Sequence, residues 1–148
     1  MDYKLDLDYK LGMHQSLKEQ SDIWDFEKEE LDPEELEHDM CNFMLNHNGI
    51  GLAVFNPVIL ESSEDKVLQK EGCLSFPGLW LHLKRPKSII AQYQNSKGVT
   101  KEAKIEGYLA TCFQHELDHL NGICFVDKVG RLKLQLAMTK LKKRLKKQ

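Results

Sequence analysis

"GYLATCFQHELDHLNG", residues 107–122, ends on Asn121-Gly122 and holds the pentad His115-Glu116-Leu117-Asp118-His119. Two histidines four positions apart sit little more than one helical turn from each other, so both imidazoles share one face where a single ion can bridge them. A glutamate between them is placed to activate a water at that ion. The stretch therefore predicts a helix with metal chemistry on one face, closed by Asn121-Gly122. Two ligands do not make a stable site, and the identity of the third decides the chemistry.

The zinc proteases that carry this pentad take their third ligand from a Glu or His beyond the second histidine. Beyond His119 this chain has neither, which argues against that class. Cys124 and Asp127 remain downstream. Cys124, flanked by Ile123 and Phe125 just past the predicted helix end, reads better as a buried structural thiol. Upstream, Cys73 lies in Glu71-Gly72-Cys73-Leu74-Ser75, where glycine permits close backbone approach and serine offers a local hydrogen bond. Cys73 is the favoured third ligand.

The whole chain of 148 residues, 41% of them apolar, suits a single domain with one buried core over 1–148. No apolar run approaches the ~20 residues that span a bilayer, and the opening MDYKLDLDYK alternates charged and apolar residues where a signal peptide is continuously apolar. A cytoplasmic protein without a membrane partner is expected. Cys41, Cys73, Cys112 and Cys124 are scattered without CxxC spacing and read as reduced thiols. A net charge of -2 hides an asymmetry: residues 1–50 carry fourteen Asp and Glu against four Lys, and residues 128–148 carry nine Lys and Arg with no acid. That basic end is either a solvated helix or a surface for a polyanion such as RNA.

The remaining pattern predicts two more helices around short strands. One runs from Pro33 to His47, capped by Asp32, with Leu36, Met40, Phe43 and Met44 at helical spacing. The other is basic and runs from Arg131 toward Lys147, with Leu134, Met138, Leu141 and Leu145 along one stripe. Strand-like segments lie near Asn56 to Glu61, Lys66 to Gln69, Leu79 to Lys84, Ser88 to Gln94 and Thr100 to Ile105.

Taken in order, Gly49-Ile50-Gly51-Leu52-Ala53, Glu71-Gly72-Cys73-Leu74-Ser75 and His115-Glu116-Leu117-Asp118-His119 resemble the three signature motifs of the peptide deformylases. These enzymes remove the formyl group from the N-terminal formylmethionine of new bacterial and organellar chains. The pentad alone is a weak signal, whereas the EGCLS segment upstream of it makes the set specific. The resemblance runs from about Asp32 to Gln148. It implies an α+β fold with antiparallel strands packed around a central metal-binding helix.

It further implies that Cys73, His115 and His119 hold one divalent metal, usually Fe(II), while a thiolate with two imidazoles would also suit Zn(II), Ni(II) or Co(II). Glu116 would be the general base, and the backbone N–H of Leu74 would help hold the oxyanion. Gly49, Ile50, Gly51 and Gly72 would present main-chain groups to an N-formylmethionyl peptide bound like an added strand. Ile50, Tyr108, Thr111 and Cys112 would line the methionine pocket. Glu71 and Arg85 would form an ion pair supporting the ligand loop. A monomer is expected, with ribosome or RNA contact through the basic C-terminal helix and with residues 140–148 dispensable for activity on a short peptide.

One departure stands out. The family's first motif continues as Gly-x-Gly-x-Ala-Ala-x-Gln, and that glutamine donates to the formyl oxygen. Here Gly51-Leu52-Ala53 runs into Val54-Phe55-Asn56-Pro57. Without gaps Asn56 takes the glutamine position; with a gap, Asn56-Pro57 matches a later Asn-Pro segment, and about a hairpin is lost together with the glutamine. The second alignment fits better, because Val58 to Glu61 continues as a strand. With residues 1–31 also divergent, a shortened and phage-type member is compatible with the sequence. Two other readings follow: a deformylase-like metal protein with little or no activity, and an interaction module built on the basic helix. The intact Glu116 argues against the module, which would have no use for a base.

Overall fold

In the computed structural model the described residues are 15–46 and 53–146. In chain order they form α1 (Pro33–Asn46), β1 (Phe55–Ser62), β2 (Lys66–Glu71), β3 (Leu81–Pro86), β4 (Ser88–Gln94), β5 (Thr100–Glu106), α2 (Gly107–Leu120) and α3 (Arg131–Leu145). Short 3-10 turns at Gln15–Lys18 and Phe125–Lys128 complete the set; neither has a periodic pattern that sequence reading could catch. The class is the expected α+β.

Antiparallel pairing builds a three-stranded sheet in the order β1-β4-β5, and β2 and β3 form a separate hairpin. Alternation decides which side chains face inward. In β3, Leu81, Leu83 and Arg85 share the buried row, and in β2 the row Val67, Gln69, Glu71 ends on a buried carboxylate. The hairpin therefore drives one acid and one base into the interior, where each needs a partner.

Two apolar clusters flank α2. Ile89, Ala91 and Ile105 of the three-stranded sheet pack with Ala110 and Phe113 of the helix. On the other side Phe76, Leu79, Leu81, Leu83, Cys124, Phe125 and Val126 gather with Leu141 of α3. Burial on both flanks wedges the pentad helix into the centre, which fixes its histidines against the hairpin. Leu141 is 4% exposed and belongs to this core, so residues 140–146 are no detachable tail.

The helix ends follow from local chemistry. Asp32 Oδ1 accepts from the backbone N–H of Glu34 at 2.8 Å and of Glu35 at 3.0 Å, capping α1. Gly107, at φ +64, turns the chain from β5 into α2. At the far end Ile123 N donates to Asp118 O at 2.8 Å and Gly122 N to His119 O at 3.0 Å, a Schellman pair with Gly122 at φ +70. Of the α1 stripe, no residue is buried. Met40 and Phe43, 51% and 62% exposed, line an open cavity rather than a packed interface.

Candidate active site

Cys73 follows β2 in the loop before β3, and His115 and His119 come from α2, so the hairpin and the wedged helix bring the three together. Their ligand atoms lie within 4.8 Å of one another, and Cys73 Sγ stands 3.3 Å from His119 Nε2. The rings of His115 and His119 are nearly perpendicular, 4.9 Å between centroids. His115 Nδ1 lies 3.1 Å from Glu71 Oε2, which leaves Nε2 for an ion and fixes the ring's orientation. A thiolate and two neutral imidazoles are the donor set that divalent first-row metals take, so these residues fit one. The other sequence candidate, Cys124, is fully buried, with Sγ 3.7 Å from the Leu17 carbonyl oxygen.

Electrostatics prepare this set. Burial pushes the Cys73 thiol up, but hydrogen bonds from His115 and His119 outweigh it and hold the group down at about 5. Burial pushes His115 down, yet Cys73 and Glu71 raise it to about 9. The free protein thus stores a thiolate beside an imidazolium. Glu116 is raised chiefly by burial, against the pull of both histidines. A carboxyl raised above its ordinary value takes and returns protons more readily near neutrality.

Behind the ligands runs a chain of charges. Arg85 grips Glu71 with two hydrogen bonds, Nε to Oε1 at 2.6 Å and NH2 to Oε2 at 2.9 Å. Its NH1 donates to Asp118 Oδ2 at 2.8 Å, and Lys128 Nζ reaches Asp118 Oδ1 at 2.9 Å. Sequence reasoning found Glu71 and Arg85 but missed Asp118 and Lys128. The signal was available: an arginine in the inward row Leu81, Leu83, Arg85 needs its fork filled, and Asp118 lies one turn from His115 on the same helix.

The site opens into a cavity of about 860 Å³ whose wall includes Glu71, Gly72, Cys73, Leu74, Tyr108, Thr111, Cys112, His115, Glu116 and His119. Thr111 and Cys112 are buried, while Tyr108 and Leu74 stand exposed at the opening. A Cβ on Gly72 would come within 2.9 Å of the Trp80 ring. Gly49, Ile50 and Gly51 lie outside the described residues. Asn56 does not face this cavity; it lines a second one of about 490 Å³. Its side chain accepts from Trp24 N at 2.8 Å, and its Nδ2 donates to Trp24 O and Gln94 Oε1 at 2.9 and 2.6 Å. Both ends of the Asn56 amide are thus engaged away from the cavity that Cys73, His115 and His119 share.

Comparison with known proteins gives consistent matches. Residues 53–135 match the family model of polypeptide deformylase. The peptide deformylase of Bartonella tribocorum is 44% identical over 95 residues, 64% of this chain and 53% of that protein. The chain spans about half the length of the curated relatives it matches. Among solved structures, the peptide deformylase of Ehrlichia chaffeensis superposes with a TM-score of 0.77 at 30% identity, covering 90% of this chain and 93% of that one. The peptide deformylase of Synechococcus elongatus, solved in complex with actinonin, also gives 0.77 at 30% identity, over 85% and 82% of the two chains.

Proposed function

The chain belongs to the polypeptide deformylase family, and we propose from that premise that it removes the formyl group from N-terminal formylmethionine of nascent polypeptides. The observation that carries this reading is the pairing, in one cavity, of a thiolate-and-two-imidazole donor set with the half-buried Glu116 carboxyl, whose affinity for protons is raised. A purely structural metal site has no use for that carboxyl.

Cys73, His115 and His119 would hold a divalent ion, Fe(II) by family resemblance, although Zn(II), Ni(II) or Co(II) suit the donors as well. Bound there, an ion would supply Lewis-acid polarisation of the formyl carbonyl. Glu116 takes a proton from the attacking water as its oxygen bonds to the formyl carbon, and returns the proton to the amine as the C–N bond breaks and formate leaves. The Leu74 N–H donates to the developing oxyanion. Glu71, held by Arg85, keeps the His115 ring in register. Main-chain groups of Gly49, Ile50, Gly51 and Gly72 bind the peptide, and Tyr108, Thr111 and Cys112 line the methionine pocket. The protein acts as a single-domain monomer, and its basic C-terminal helix contacts ribosomal RNA.

Glu116→Gln is expected to retain bound metal and lose hydrolysis of formyl-Met-Ala-Ser, while Cys73→Ala loses the metal and Cys124→Ala keeps it. Actinonin, the ligand of the Synechococcus elongatus relative, is expected to inhibit. Full turnover by Glu116→Gln would refute the role of that residue. A wild type that binds metal but leaves the formyl peptide intact would instead favour the deformylase-like protein of little activity, since loss of one oxyanion donor costs ~10²- to 10³-fold in rate.

A further inference from the structure

Two lysine–aspartate pairs tie down the 3-10 turn Phe125–Lys128, and they differ in what stands behind them. Lys18 bonds Asp127 at the surface, with side chains 39% and 40% exposed, and a pair of that kind contributes little. Lys128 Nζ bonds Asp118 Oδ1 at 2.9 Å, and there the carboxylate is only 14% exposed. The second Asp118 oxygen accepts from Arg85 NH1 at 2.8 Å. Arg85 in turn holds both oxygens of Glu71, and Glu71 Oε2 lies against His115 Nδ1. From solvent inward to the ligand ring the signs alternate, and Lys128 is the solvent end of the chain.

The point of competition is Arg85. Its one guanidinium, 4% exposed, serves two carboxylates that have little water to turn to. If Asp118 had no other cation, it would draw the guanidinium toward itself and away from Glu71. Lys128 supplies the second cation, and its long stem lets the ammonium reach Asp118 while staying hydrated. We propose that Lys128 is a positioning residue of the metal site: by engaging Asp118 it keeps Arg85 seated on Glu71, and Glu71 keeps the His115 ring turned for an ion. This inference rests on the ligand set of the deformylase reading and extends it to a residue that touches neither ion nor ligand.

The test measures the Zn(II) dissociation constant of the full chain by chelator competition at one fixed pH. Lys128→Met is expected to bind roughly 3- to 10-fold more weakly, less than the 10- to 100-fold that loss of a ligand's direct partner typically costs. Lys128→Arg, which keeps a cation, should restore the wild-type constant. Lys18→Met breaks the neighbouring pair on the same turn and should leave the constant in place. In the Co(II)-loaded protein, Lys128→Met should also shift the visible absorption bands, because these report the geometry of the donors, which a loss of stability alone does not move. An unchanged constant in Lys128→Met, or an equal weakening in Lys18→Met, overturns the role of Lys128 and leaves the ligand set standing. A wild type that binds no Zn(II) overturns both.

Discussion

His115 shows how one residue's environment becomes a measurable property. Its raised value of about 9 means that the free protein carries a proton on the ring across the neutral range, while Cys73, held at about 5, is already ionised. A metal takes imidazole only in its neutral form, so binding must expel that proton. Protons therefore compete with the ion at every pH below about 9, and affinity falls as pH falls. Chelator competition with Zn(II) should show the dissociation constant dropping about tenfold per pH unit between about pH 6 and about pH 8, with about one proton released per ion. A pH-independent constant over that interval would mean that His115 is neutral before the metal arrives.

At the scale of an element, the end of α2 matters as much as its middle. The Schellman pair stops the helix one residue past Leu120 and turns the chain so that Cys124 and Phe125 drop into the core. Gly122 makes that turn at φ +70, and a Cβ there would stand 2.8 Å from the Lys18 backbone oxygen. Backbone cannot swing aside as a flexible side chain can. Gly122→Ala should therefore cost about 1–3 kcal/mol, the left-handed conformation and the displaced strap of residues 18–21, which pairs with this end of α2, both contributing, read as a lower urea midpoint. Gly130→Ala is the control: no atom of the described residues lies within 4 Å of a Cβ placed there, and a change within about 0.5 kcal/mol is expected. Equal midpoints for the two variants would show that the strap does not press on this turn.

Over the whole molecule, the acidic and basic halves of the sequence acquire different meanings. Leu134, Ala137, Met138, Leu141 and Leu145 of α3 pack on the core, and Arg144 NH2 bonds the Gly78 carbonyl at 2.6 Å. Lys140, Lys142, Lys143 and Lys146 stay exposed. Deleting residues 140–148 would remove Leu141 from the core, so the polyanion contact has to be probed by charge alone. Replacing those four lysines by glutamine should leave Tm and short-peptide activity in place. It should flatten the salt dependence of ribosome association by roughly 3 in log–log slope, four phosphate contacts being lost. Association with an unaltered slope would assign the basic face to solvation.

Much of the molecule was legible in one dimension. Asp32-Pro33 and Asn121-Gly122 mark helix ends by chemistry that acts within a few residues, and the strand segments were readable from alternation and turn residues for the same reason. The pentad's periodicity likewise puts His115 and His119 on one face before any fold is known. What tertiary structure decided is everything that depends on separation in space between residues distant in the chain. Asp118 and Lys128 complete the charge network only because β3 crosses beside α2. That the Asn56 side chain bonds to Trp24 and Gln94, away from the metal-ligand cavity, likewise depends on segments distant in the chain. The hydroxyl of Thr111 lacks a partner among the described residues, and whether a buried polar atom is satisfied depends on its neighbours in three dimensions, which periodicity along a helix does not encode.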